Sequence, residues 1–140
     1  MKQNPSRLKF KKNHKMKFLF FNLLDKKTFY PLYGNFAIKS LASGKLKLKQ
    51  IEAGRKAIRR NVKKSGHLYI RVFTNKSVTS KPVASRMGKG KGNHSFWMCP
   101  VKKGQIIYEL SSLSNLVSIK ALEKASNKLP FKNKVVKLVY

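Results

Sequence analysis

The densest run of residues able to do chemistry is Gly88-Lys89-Gly90-Lys91-Gly92, preceded by Lys81 and by Arg86-Met87. Glycines let a backbone approach a polyanion closely, and lysine ammonium groups meet its phosphates. A nucleoside triphosphate loop would need Gly, four residues, then Gly-Lys-Ser/Thr, and that order is absent. A dinucleotide fingerprint would need glycine where Asn93 stands. The run therefore reads as a loop that meets nucleic-acid phosphates, against the plainer alternative of a solvated loop with no specific contact. His14, His67, His94 and Cys99 share no ligand spacing, so no metal site is expected. The acids Asp25, Glu52, Glu109 and Glu123 are scattered and unpaired, so neither catalysis nor a cofactor is expected.

The charge balance narrows the partner. Lys and Arg number 33 against 4 acids in 140 residues, a formal net charge of +29. So few carboxylates cannot pair with so many cations, and self-repulsion disfavours a compact free chain unless a polyanion completes the balance. Nucleic acid is the natural candidate, and an anionic membrane surface the next. A DNA-compacting protein would share this charge with an RNA binder, and competition between duplex DNA and RNA separates the two. One cysteine, Cys99, excludes an internal disulfide. The apolar run 18–24 is far shorter than the roughly 20 residues of a membrane span. Its basic lead-in imitates a secretory signal, but no small-residue cleavage site follows.

Three kinds of element must position these residues. Residues 1–17 form a basic amino-terminal arm carrying Lys9, Lys11, Lys12, His14 and Lys15, expected to be extended and to order on its partner. Residues 18–140 form one domain. Its first part, 18–48, mixes apolar clusters with turn signals at Pro31, Gly34 and Gly44, which predicts strands. The spacing predicts a helix over 50–64, with Ile51, Gly54, Ile58 and Val62 on one side and Lys56, Arg60, Lys63 and Lys64 on the other. Arg55 and Arg59 flank the basic side, Glu52 falls in the first turn, and Gly66 stands where a helix stop belongs. A strand over 67–73 turns Leu68, Ile70 and Val72 one way and Tyr69, Arg71 and Phe73 the other. The region 74–94 reads as a loop. Strands over 95–101 and 105–110 meet around Lys102-Lys103-Gly104 as a hairpin. A second helix is expected over 113–128, capped by Ser112 or Ser114 and stopped by Pro130, with a closing strand over 135–140. Trp97, beside Phe96 at a strand start, is expected in the core; the alternatives are stacking on a base or guiding the root of the loop.

These residues resemble a known family. Gln50-Ile51-Glu52-Ala53-Gly54-Arg55-Lys56-Ala57-Ile58-Arg59-Arg60 is similar to the first helix of large-subunit ribosomal protein sixteen, bacterial type. Ile70-Arg71-Val72-Phe73 is similar to the strand that follows it. The thirteen residues 81–93, from Lys81-Pro82-Val83 through Arg86-Met87 to Asn93, resemble the family's signature loop. The likeness continues through Trp97, Gly104, Tyr108-Glu109 and Lys128-Leu129-Pro130, and at the front through Lys9-Phe10-Lys11-Lys12 and His14-Lys15.

The resemblance implies an α+β domain, two helices packed against a mostly antiparallel sheet, with the arm and a protruding Gly/Lys loop. It implies a structural constituent of the large ribosomal subunit, with no enzyme activity. Large-subunit rRNA would be met by the arm, by Arg55, Lys56, Arg59, Arg60, Lys63 and Lys64, and by Arg71. The loop residues Lys81, Arg86, Met87, Gly88, Lys89, Gly90, Lys91 and Gly92 would line the aminoacyl-tRNA site near the peptidyl transferase centre. Neighbouring large-subunit proteins are implied as partners, with no membrane and no second copy of the chain. In bacterial members the arginine matching Arg86 is a hydroxylation site. Residues 18–34 are more apolar and aromatic than the family stretch. With the lysine-rich drift (27 Lys to 6 Arg), this resembles a mitochondrion-encoded copy, a plastid or bacterial one being the alternative.

Overall fold

The computed structural model describes residue 5 and residues 8–14, 28–112 and 114–138. Lys15, the apolar run 18–24 and the last two residues of the expected closing strand lie outside the described residues. The order is β1 (Phe36–Ser40), β2 (Gly44–Lys47), α1 (Leu48–Val62), β3 (Gly66–Ile70), β4 (Lys76–Ser80), β5 (Asn93–Val101), β6 (Ile106–Ser112), α2 (Asn115–Ser126) and β7 (Asn133–Lys137). The fold class is α+β, as expected. The strands form two antiparallel sheets, a four-stranded one in the order β3-β6-β1-β7 and a three-stranded one in the order β2-β5-β4.

Two sheets rather than one correct the hairpin reading. The turn around Lys102-Lys103-Gly104 does not fold β6 back onto β5; it carries the chain from one sheet to the other. β5 pairs with β2 and with β4, the strand just before it, while β6 pairs with β1 and β3. The reason lies in the edges of β6. Residues 105–110 are all buried because β6 is a central strand, and with β1 on one edge and β3 on the other it has no edge left for β5.

Helix α1 buries Ile51, Gly54, Ile58 and Val62, the four residues its periodicity selects. Fully burying an aliphatic side chain contributes about 1.5–3 kcal/mol, so this stripe seats the helix firmly. Gly54 is required by space. The Tyr108 hydroxyl donates to the Ile51 carbonyl at 2.7 Å, and a Cβ on Gly54 would stand 2.5 Å from that hydroxyl oxygen. Burial pushes the Tyr108 phenol far above its ordinary pKa, so it remains a donor throughout the physiological range. Gly54→Ala should lower stability by about 1–3 kcal/mol despite alanine's better helix propensity, because the ring must move. Thermal melting checks this, and adding Tyr108→Phe should recover part of the loss.

The ends of α1 differ from the sequence reading. The helix starts two residues earlier, at Leu48, where the Lys47 N–H donates to the Gln50 side chain at 2.9 Å. Glu52 therefore falls outside the first turn and serves a neighbouring arginine instead. The helix ends at Lys63, whose φ of 52° takes the positive-φ role assigned to Gly66; its N–H donates to the Arg59 carbonyl at 2.9 Å. Gly66 opens β3, which stops at Ile70.

Helix α2 buries Ser118, Ala121, Leu122 and Ala125, small residues that let it lie close to α1. The Lys124 ammonium reaches the Asn61 side chain across the pair at 2.8 Å. Ser114 occupies the N-cap position without a side-chain cap; instead its carbonyl accepts from the Ser118 hydroxyl at 2.7 Å. Cys99 is buried in the core, and burial pushes its thiol pKa up to about 11.

Candidate nucleic-acid interface

One face of α1 is apolar and seated, which turns Lys56, Arg59 and Arg60 outward; Lys63 at the C-cap and Lys64 just beyond it continue the set, and all five are exposed. Among the described residues no carboxylate pairs with any of them. Arg59 makes only long contacts, to the carbonyls of Lys63 at 3.5 Å and Gly66 at 3.4 Å. The three helix cations and the two at its carboxyl end form an open basic patch suited to phosphates.

Two arginines expected in this set have partners inside the fold. Arg55 donates to both carboxylate oxygens of Glu52, from Nε at 2.9 Å and Nη2 at 2.5 Å. That hydrogen bond holds the Glu52 carboxyl below its ordinary pKa and the Arg55 guanidinium above its own. Arg71 is turned inward. Its guanidinium pairs with Glu109, and its side chain is only 14% exposed. It also lies over the Tyr33 ring, 5.4 Å from the centroid. Arg71 is a counter-charge to a buried acid, which sets it apart from the other expected rRNA contacts.

Glu109 is the residue whose role the sequence did not show. Its side chain has no solvent exposure, and one oxygen accepts three successive backbone N–H groups, from Leu32 (3.0 Å), Tyr33 (2.6 Å) and Gly34 (3.2 Å). The other oxygen takes Arg71. An acid inside the otherwise apolar run 106–110 was the available signal, since a carboxylate is buried only with a full set of donors. The clamp fixes residues 32–34 just ahead of β1, with Gly34 against the Leu110 backbone of β6 and the Tyr33 ring beside Tyr69 of β3.

The Gly/Lys loop is shorter than expected, because 76–80 and 93–101 pair as β4 and β5, leaving residues 81–92. Residues 81–91 are all exposed, and Met87 is 99% so. Gly88, Lys89 and Gly90 take positive φ in succession (92°, 54° and 77°), which glycine adopts readily and which turns the tip back on itself. The Lys81 ammonium bonds the Gly88 carbonyl at 2.5 Å and ties the loop's start to its tip. At the root, His94 shares a 2.7 Å hydrogen bond with the Ser77 hydroxyl and lies 4.7 Å from the Trp97 ring centroid. Trp97 is half-buried and outside the core cluster, so the core expectation gives way to a support for the loop's base.

Lys9, Lys11, Lys12 and His14 are exposed and belong to neither helix nor strand. A contact no sequence pattern announces joins them to the loop. The Lys12 ammonium donates to the Lys91 carbonyl at 3.1 Å, and the Lys91 ammonium donates to the Asn13 carbonyl in return. Two cationic segments nearly eighty residues apart lie side by side.

These features define a class: a small α+β protein with an open cationic helix face and a glycine-lysine loop, lacking the acids to neutralise itself. A family model described as Ribosomal protein L16p/L10e matches residues 5–136. The chain is 42% identical over 134 residues to the large ribosomal subunit protein uL16 of Psychrobacter arcticus, covering 95% of each chain. It is 41% identical over 132 residues to the uL16 protein of Pseudoalteromonas atlantica, covering 94% of each, and 42% identical to that of Psychrobacter cryohalolentis. The chain belongs to the L16p/L10e family of ribosomal proteins, and its role is that of a structural constituent of the large subunit.

Proposed function

We propose that this chain binds large-subunit rRNA through the basic face of α1 and the amino-terminal arm, and that its 81–92 loop lines the aminoacyl-tRNA site near the peptidyl transferase centre. The observation that carries the reading is the α1 face, where Lys56, Arg59 and Arg60, continued by Lys63 and Lys64 past the helix end, are exposed opposite a fully seated apolar stripe. Phosphate contacts of this kind supply affinity and position but little sequence information. The arm adds Lys9, Lys11 and Lys12 beside the loop, so arm and loop meet one polyanion together. The side chains of Val83 and Met87 support the same role, since both are fully exposed among the described residues.

Arg86→Ala together with Lys89→Ala should leave the melting temperature of the free protein unchanged, because both side chains are exposed. Ribosomes assembled with this variant should accommodate aminoacyl-tRNA or form peptide bonds several-fold more slowly, a loss of about 1 kcal/mol of transition-state stabilisation. Wild-type rates in fully assembled subunits would reject the loop's role.

The lysine-rich drift and the apolar, aromatic sequence of residues 18–34 support an organellar copy working in the mitochondrial matrix, while the bacterial relatives fit the bacterial alternative. Co-fractionation with mitochondrial ribosomes tests this.

A further inference from the structure

The three-stranded sheet has a face that neither the α1 stripe nor the loop uses. Its inner side carries Leu46, Cys99 and Val101, all buried in the core. The register fixes what stands on the other side. Lys47, Met98 and Lys76 lie directly opposite one another across the three strands, and Val78 stands opposite Phe96 in the next row. Lys47 is exposed, and Lys76, Val78, Phe96 and Met98 are each part-exposed. The Lys47 ammonium sits over the Phe96 ring, 4.9 Å from its centroid. The strands Gly44–Lys47, Lys76–Ser80 and Asn93–Val101 contain no acid.

We propose that this face is a platform for unpaired RNA, with a base stacked on Phe96 and flanking phosphates met by Lys47 and Lys76. The platform rests on the chain being an RNA binder and adds which form of RNA this surface takes. An open antiparallel sheet presenting an aromatic ring between cations suits single-stranded nucleic acid, because every base has a π-face and extended backbone places phosphates to either side. A duplex keeps its bases stacked inside and offers the ring nothing. Charge favours RNA over a protein segment: a lysine row without a carboxylate complements phosphate. The bulge between Val78 and Thr79 sends His94 to the opposite side, toward Trp97, so the platform leads directly into the root of the loop.

The test uses the full chain, a labelled short oligouridine and a labelled short RNA duplex, titrated across salt concentrations by fluorescence anisotropy. Phe96→Leu should weaken oligouridine binding about five-fold or more with an unchanged salt slope, and should leave duplex binding as in wild type. Lys47→Gln with Lys76→Gln should lower the single-strand salt slope by about 1.4 units, at about 0.7 for each phosphate no longer neutralised. This second variant alters only side chains on the outer face, so it carries the test should Phe96→Leu melt early. Equal loss on both RNAs, or no loss on either, overturns the platform. A wild-type chain that binds duplex but not oligouridine also overturns it, while leaving the rRNA reading intact. A chain that binds neither RNA takes both readings down.

Discussion

Glu109→Ala should cost about 3–5 kcal/mol of stability, enough to unfold much of a marginal domain. The substitution removes the counter-charge of Arg71, whose side chain is 14% exposed, and strands three N–H groups that now share one carboxylate oxygen. Leaving a buried charge unpaired is far more damaging than never having had the pair. The consequence also spreads, because residues 32–34 lose the anchor that holds them against the sheet. The Tyr33 ring, packed 5.3 Å from that of Tyr69, would lose its seat with them. Glu109→Gln keeps an acceptor for the backbone cluster and should fall between the two. Urea unfolding of the three proteins checks the order, and a Glu109→Ala midpoint matching wild type would refute the clamp.

The second large effect concerns binding rather than folding. Replacing Lys56, Arg59, Arg60 and Lys63 with Gln should flatten the dependence of rRNA affinity on salt by about 3 units of slope, at roughly 0.7–0.9 for each phosphate neutralised. Between about 50 and 200 mM salt the wild-type complex should therefore weaken roughly a hundred-fold more than the variant's. The four side chains are exposed and unpaired with any described carboxylate, so the variant should melt at or above the wild-type temperature as self-repulsion eases. An unchanged slope would move the phosphate-binding surface off α1. Arg55 supplies an internal control. Because Glu52 already holds it, Arg55→Gln should change the slope less than Arg59→Gln does.

What was legible in the residues follows from the range of the interactions involved. The core stripe of α1 could be read because a helix writes its burial every three or four residues, and Ile51, Gly54, Ile58 and Val62 all lie within four turns. Its ends could not, because Lys63 adopts a positive φ that a pattern assigns to glycine. Strand pairing was the largest miss. β5 and β6 adjoin in sequence, yet they do not pair: both edges of β6 are taken by β1 and β3, which come from distant segments, so the turn between β5 and β6 does not decide the pairing.

The candidate site divides in the same way. The cations of α1 and the loop were visible because composition and local spacing specify them. Arg71 looked like one more cation because its partner lies 38 residues away, and Glu109 looked like a stray acid because its donors lie more than 70 residues upstream. The expected Lys15 contact lies outside the described residues. The reciprocal bonds of Lys12 and Lys91 had no local signal either.

Everything proposed for RNA binding depends on where the basic side of α1 points in the assembled particle. A cryo-electron microscopy map of the large subunit from the source organism measures this directly. It should show Arg59, Arg60 and Lys63 against rRNA phosphates, and the Gly88–Gly92 tip beside the aminoacyl end of a bound tRNA. A map placing that helix side and that tip in open solvent, away from RNA, would contradict the account.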